Sequence, residues 1–295
     1  MNTQMTTPIS PDMAHWIGRT TSVTATLNPA PLMEFNALAM NGQLPAADTE
    51  AGTALPPLAH WLYFHPYAIP QDALGVDGLP TRSPLYPDLA FPHRVWAGSE
   101  IEFLHPLRLG SLVQKRSTIT GAQHKSGQRA NLALVQVTHE LVDEQGVALV
   151  ERQQMIFLER KLQATSAKKP EAVTGRTDHT MDRVFDATTV RLFRYSALTC
   201  NPHRIHYDRD YAVQQEGYAG LVVAGPLIAR LLGDLLMAHL PVRELKTFSC
   251  RAIAPLFDGP IHLRAHDSAD GKKSAELWAQ DGDGRVGMSA TATWD

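Results

Sequence analysis

Residues 193–212, FRYSALTCNPHRIHYDRDYA, place Asn201, His203, His206 and Asp208 within one short loop behind a Tyr-Ser-Ala-Leu-Thr turn segment. Histidine ionises near neutral pH, at about 6.5 when unperturbed, so such a loop can hold a group that takes and returns a proton. Downstream runs GLVVAGPLIARLLGDLL, an apolar helix whose start is marked by Gly225-Pro226. Proline fits the first helical position, where its missing N–H gives up no bond, and glycine has no Cβ to keep a ligand off its backbone N–H. The helix dipole favours negative charge at that end. A proton-transfer group next to such donors suits chemistry on a carbonyl compound, where charge gathers on oxygen as a proton moves.

The rest of the chain must hold these two pieces in place. The apolar run Leu221–Leu240 carries Arg230, Asp234 and His239. Those groups are costly in lipid, whereas Arg230 and Asp234 fall four apart on one helical face, so the run reads as a buried helix and no membrane association is expected. Residues 99–160 read as β structure. SEIEFLHPLRLGSLVQKRSTIT gives two runs broken at Pro106 and Gly110, NLALVQVTHELVD alternates, and VALVERQQMIFLER follows a Gln145-Gly146 turn. A similar order returns after residue 240, where FSCRAIAPLFDGPIHL echoes IEFLHPLRLGSLVQ in strand, proline break, glycine turn and strand. The segment PPLAHWLYFHPYA, residues 56–68, is read as an earlier partner of the second helix. KLQATSAKKPEAVTGRTDHT, residues 161–180, is polar and aperiodic and reads as a linker. The expected organisation is therefore a first unit over 1–160, a linker over 161–180 and a second unit, carrying the chemistry, over 181–295. Fold class is α+β: a double hot-dog, in which antiparallel sheets each wrap a central helix and two units form a pseudo-dimer in one chain.

Composition narrows the function. Of 295 residues, 44% are hydrophobic and 19% charged, as in a core-forming protein. A net charge of −3 without long runs of either sign gives no reason to expect a nucleic-acid partner. Cys200 and Cys250 have no metal-type spacing, and so few thiols point to a reducing compartment; the N-terminus lacks the pattern of a secretory signal, and cytoplasm is expected. No phosphate-cradling or dinucleotide-binding glycine motif is present, so nucleotide hydrolysis and hydride transfer are not expected.

Five segments in order, HWLYFHPYA, HRVWAGSEIEFLHPLRLGS, THELVDEQG, FRYSALTCNPHRIHYDRDYA and GYAGLVVAGPLIARLL, resemble the MaoC-like double hot-dog hydratases and dehydratases that act on acyl-thioesters. The resemblance is to the branch that holds the mesaconyl-C4-CoA and itaconyl-CoA hydratases and the 3-hydroxyacyl-thioester dehydratases. It implies reversible hydration of an α,β-unsaturated acyl-CoA, with a C5 dicarboxylate as the acyl group and citramalyl-CoA as the hydrated form. A straight-chain 3-hydroxyacyl thioester is the alternative. Single-unit relatives carry Asp-x-Asn-Pro-x-His, whose Asp and His are the catalytic pair. Matched on the last residue, His206 carries over, while Asn201 stands at the Asp position and His203 at the Asn position. Ala224 stands where many relatives have His, and the following glycine, Gly225, is kept.

On this resemblance the catalytic residues are His206 as base in hydration and acid in dehydration, Asn201 fixing the water or the imidazole tautomer, and Gly225 donating its N–H to the developing oxyanion. Tyr195, Thr199, His203, Arg204, Asp208 and Arg94 are candidate substrate-binding residues. Asp208 is the nearest carboxylate to replace the missing Asp, His203 a second acid–base group, and Arg204 the suspect for a free substrate carboxylate. Arg94, Arg204 and Arg209 are candidate partners for the phosphates of coenzyme A. His60, His65, His93 and His105 are not expected to be catalytic, and the first unit is expected to wall the substrate channel. Coenzyme A is part of the substrate, and no separate cofactor and no metal are expected, though His203, His206 and Asp208 are of ligand type. A hot-dog thioesterase and a non-catalytic acyl-thioester binding protein are the competing readings. Monomer and homodimer are both compatible with a pseudo-dimeric chain.

Overall fold

Ten strands among the described residues join into one antiparallel sheet in the computed structural model, which describes residues 13–39, 49–65, 68–86, 91, 93–126, 131–158, 173–240, 244–267 and 273–295. The first half runs β1 (Thr20–Thr26), α1 (Pro29–Ala39), β2 (His93–Phe103), β3 (Leu112–Ser126), β4 (Asn131–Asp143) and β5 (Gly146–Leu158). The second runs β6 (Met181–Ala187), α2 (Thr189–Leu198), α3 (Gly225–His239), β7 (Leu245–Ala252), β8 (Gly259–Asp267), β9 (Ser274–Gln280) and β10 (Val286–Trp294). The strand order is β1-β3-β4-β5-β2-β7-β10-β9-β8-β6. Read outward from the β2–β7 junction, the two halves have the same order, so the sheet is two five-stranded hot-dog units joined edge to edge. At the junction Ile101 lies opposite Phe248 and Ser99 opposite Cys250. The two segments that echo each other in sequence are thus neighbours across the pseudo-twofold, and each leads through its Pro and Gly corner into the next strand.

Alternation decides which face turns inward. In β4, Ala133, Val135, Val137 and Leu141 are buried, and in β8, Ile261, Leu263 and Ala265 are buried. Helix α3 buries Leu227, Ile228, Leu231, Leu232, Leu235 and Leu236 at helical spacing and packs on β6, β8, β9 and β10. Each fully buried leucine contributes about 1.5–3 kcal/mol. The helix also buries Arg230, whose Nε lies 2.9 Å from Asp234 Oδ1 and whose guanidinium donates at 3.0 Å to the carbonyl of Pro57. Among the described residues no helix is long and apolar enough to cross a membrane.

Among the described residues of 56–68 there is no second long helix. The described residues there form a single 3-10 turn, Ala59–Leu62, because Pro56 and Pro57 precede it and Leu58 takes a left-handed φ of 66°. The segment instead lies across α3, where a Cβ on Gly233 would stand 2.7 Å from Leu58 Cδ1. Tyr195–Leu198, read in the sequence as a turn, close α2, which starts on a Thr188 cap accepting from Arg191 N at 3.3 Å. The 1–12 and 161–172 parts of the expected first unit and linker lie outside the described residues. Residues 173–180 are held by backbone bonds to the second half, among them Val286 N to Val173 O at 2.8 Å and Thr180 N to Ala265 O at 2.8 Å.

Candidate active site

His206 closes a 3-10 turn, Arg204–His206, and is buried. Its Nδ1 lies 2.8 Å from the carbonyl oxygen of Val222. A carbonyl only accepts, so Nδ1 carries the proton and Nε2 keeps its lone pair. Val222 N donates in turn to Ile205 O at 2.9 Å, which fastens the loop to the stretch leading into α3, and Val223 N ties that stretch to Leu256 O at 2.9 Å. Burial lowers the pKa of His206 and outweighs the opposing effect of the Val222 bond. The imidazole is therefore neutral at pH 7, the form a general base needs.

Asn201 follows Cys200, whose left-handed φ of 47° ends α2 and turns the chain into the loop. The Asn201 N–H donates to Ser196 O at 2.9 Å, and Asn201 Oδ1 accepts from His203 N at 3.2 Å, which leaves the amide N–H pair to donate. Of the two roles expected of Asn201, setting the His206 tautomer falls to Val222. The His203 and His206 rings meet edge to face, with centroids 5.5 Å apart and an interplanar angle of 86°.

Asp208 is committed elsewhere and is not a spare carboxylate. Its Oδ1 accepts from Tyr211 N at 3.1 Å, and Oδ2 accepts from Arg204 Nε and a terminal nitrogen at 3.0 and 2.7 Å. The Tyr211 N–H and then Arg204 hold its carboxyl below the usual range. Arg204 also donates to Val76 O at 2.9 Å and lies 4.1 Å from the Tyr211 ring centroid, while its backbone N–H donates to Asp77 O at 2.9 Å. Its position is that of a clamp between the loop and residues 76–78 of the first half. Gly78 makes that approach possible: its φ is +87°, and a Cβ there would stand 2.0 Å from Pro202 O.

Arg94 and Arg209 likewise have protein acceptors, the carbonyl of Pro80 at 2.6 Å and the carboxylate of Asp258. Tyr195 and Thr199 belong to the buried side of α2. The Tyr195 ring stands edge-on to Phe35 at 6.3 Å, and burial raises its phenol pKa. Thr199 Oγ1 donates to Tyr195 O at 2.8 Å, within the last turn of its own helix. Neither contact connects these hydroxyls to the 201–206 loop.

Gly225 opens α3 with Pro226 behind it. Its N–H belongs to the first turn, where the helix itself supplies no acceptor. A Cβ at 225 would stand 2.5 and 2.6 Å from Cε3 and Cζ3 of Trp96, so glycine is required here by an indole from the first half. Trp61 stands edge-on to Trp96 with centroids 6.2 Å apart. Behind them lies a buried carboxylate, Glu151, accepting from Trp61 Nε1 at 3.1 Å, Ser99 Oγ at 2.6 Å and His60 Nε2 at 3.3 Å. Sequence reading passed over this group. Its one signal was a glutamate at an inward position of an alternating strand, opposite His139 in the register. No group of three or more His, Cys, Asp or Glu among the described residues is placed to hold a metal ion.

A paired hot-dog sheet with a neutral buried imidazole fastened beside a glycine-led helix start defines a double hot-dog protein equipped for acid–base chemistry. The family of hydroxyacyl-thioester dehydratase type 2 matches residues 58–258, and the chain belongs to that family. The mesaconyl-C(4)-CoA hydratase of Chloroflexus aurantiacus is 39% identical over 291 residues, covering 96% of this chain and 98% of that one. Among solved structures, a MaoC-like dehydratase from Phytophthora capsici superposes with a TM-score of 0.67 at 13% identity, covering 94% of this chain and 96% of that one. A Mycobacterium tuberculosis protein described as a double hot-dog fold gives a TM-score of 0.57 at 14% identity, covering 95% and 96%.

Proposed function

We propose that this protein is an acyl-CoA hydro-lyase that reversibly adds water across the α,β double bond of a C5 dicarboxylic thioester such as mesaconyl-C4-CoA. Itaconyl-CoA, whose double bond is β,γ to the thioester, reaches the same hydrated form once its double bond has moved into conjugation. Citramalyl-CoA is the hydrated form. The observation that carries the reading is the 2.8 Å bond from His206 Nδ1 to Val222 O, which leaves Nε2 as a base next to the start of α3. The 39% identity to a mesaconyl-C4-CoA hydratase over nearly the whole chain supports the acyl class. The family match keeps straight-chain 3-hydroxyacyl thioesters as the second reading.

In hydration, Nε2 of His206 takes a proton from a water that the Asn201 amide orients. The water oxygen bonds to the β-carbon, and the π electrons move through the α-carbon onto the thioester oxygen. That oxygen takes the Gly225 N–H, with the α3 dipole behind it. Collapse of the enolate takes a proton at the α-carbon, delivered by the His206 imidazolium directly or relayed through His203, which leaves both rings neutral. Dehydration is the reverse, with His206 as acid. Coenzyme A enters as part of the substrate, no separate cofactor takes part, and the reaction belongs to the cytoplasm. The chain acts as a monomeric pseudo-dimer or as a homodimer of such chains.

The test is loss of enoyl-thioester absorbance with mesaconyl-C4-CoA and crotonyl-CoA, and formation of citramalyl-CoA from itaconyl-CoA, on wild type and His206→Ala. Rapid loss with one C5 substrate, abolished by the substitution, is expected. Thioester binding with no loss, or release of free thiol in place of hydration, would refute the reading.

A further inference from the structure

We infer that Trp96, braced by Trp61 and Glu151, is the wall that limits the length of the acyl group at this site; the inference rests on the hydratase reading for the placement of the thioester at Gly225. The contact is direct, since the Cε3 and Cζ3 edge of the indole occupies the space that a Cβ on Gly225 would need. An acyl group whose carbonyl oxygen takes the Gly225 N–H therefore meets the Trp96 ring at close range.

The backbone is built to aim this side chain inward. Ser99 and Ile101 of β2 are buried, and strict alternation would carry that face to residue 97. The register against β5 shifts between Trp96 and Gly98, and the extra residue turns Trp96 to the same side as Ser99 and Ile101. Trp96 Nε1 is buried with no acceptor among the described residues. An unsatisfied buried donor is destabilising, so packing alone does not account for tryptophan at this position.

The bracing is equally specific. Trp61 meets Trp96 at nearly a right angle, 84°. Its Nε1 lies 3.1 Å from both oxygens of Glu151, which Ser99 holds from β2 and His60 from the 3-10 turn. A side chain tied by its N–H to a buried, multiply bonded carboxylate cannot swing aside without breaking those bonds. Trp96 thus has a fixed ring behind it and cannot readily yield to a longer chain. Short acyl groups fit in front of such a wall, and extended ones do not.

The test measures kcat/KM for mesaconyl-C4-CoA and for straight trans-2-enoyl-CoA substrates from C4 to C10, on wild type, Trp96→Ala and Trp61→Ala. Wild type is expected to lose more than about tenfold between the short and long substrates, the scale of a few methylenes in an apolar site, and either alanine variant to recover about tenfold or more on the long ones. Calorimetric binding of butyryl-CoA and decanoyl-CoA reads the wall without turnover. Absence of hydration with every substrate would sink the hydratase reading, while length discrimination in binding that the alanine variants relieve would still support the wall. Equal handling of short and long chains by wild type would overturn it. So would an unchanged length profile in a folded variant, and Trp61→Ala, one ring further from Gly225, supplies that readout if Trp96→Ala does not fold.

Discussion

His206 Nδ1 donates to the carbonyl of Val222 across 2.8 Å, and this single bond sets which nitrogen of the imidazole is free. Burial is the larger influence on the ring and lowers its pKa below the ordinary 6.5. As a base in hydration, His206 must be neutral. The rate of hydration therefore holds down through neutral pH and falls only on an acid limb that lies below 6.5, while in dehydration the same limb marks where the acid form gains. A pH profile of kcat/KM in both directions checks this. His206→Gln lowers kcat by about 10²–10⁴, the range of a lost general base.

Arg204 ties the catalytic loop to Val76, and a substrate-carboxylate role would need those bonds released. Arg204→Lys keeps charge but not the fork to Asp208, and is expected to lower kcat/KM by about 10–10² through misplacement of the loop. The loss should be equal for mesaconyl-C4-CoA and crotonyl-CoA. A loss confined to the carboxylated substrate would assign Arg204 to substrate recognition instead.

Gly78→Ala introduces both a strained φ and a clash with Pro202 O, on the other side of the same clamp. About 1–3 kcal/mol of destabilisation is expected from the backbone strain, read as a lower urea midpoint, together with a fall in kcat. Gly146 has a similar φ, +115°, but open space around it, so Gly146→Ala should cost stability without changing kcat.

Glu151 is an anion inside the first half. Burial alone would raise its pKa, but the hydrogen bond from His60 and the charges of neighbouring groups hold it well below the usual carboxylate value. Lys115, on the inward-facing side of β3 and desolvated by burial, is one of those charges. Glu151→Ala removes the acceptor for Trp61, Ser99 and His60 together, and about 3–5 kcal/mol of stability should be lost in urea denaturation.

The pH dependence of stability follows the same groups. Burial lowers the pKa of His60 and His206, that of His65 to about 4 and that of His139 to about 3. A histidine lowered on folding binds its proton first in the unfolded chain, so its contribution is complete above 6.5 and lost as pH falls from there toward the folded value. Glu151 adds a loss of the same sign once pH falls below its ordinary 4.5. Thermal midpoints should be level near neutrality, decline below pH 6.5 and drop more steeply below 4.5.

Much of the fold was legible because it is written locally. Alternation in 132–142 marked the buried face of β4, and the echo between residues 101–114 and 248–263 marked two units that the structure places edge to edge. The apolar period after Gly225-Pro226 marked α3. The same logic failed in the described part of 56–68, where apolar and aromatic residues suggested a helix although Pro56, Pro57 and the backbone of Leu58 allow one turn. It also missed α1 and β1, which have no strong period of their own.

By itself, the sequence determined which residues can titrate near the site, His203 and His206, and where a helix must begin, at Gly225, because residue type and spacing fix those properties within one element. Only the tertiary structure decided that Val222 sets the tautomer of His206, that Asp208 and Arg204 serve the loop's own architecture, and that Trp96 closes over Gly225 with Glu151 behind it. Those outcomes depend on which surfaces meet across more than a hundred residues of chain. A local pattern records that a side chain is turned inward, and only packing settles what it meets there.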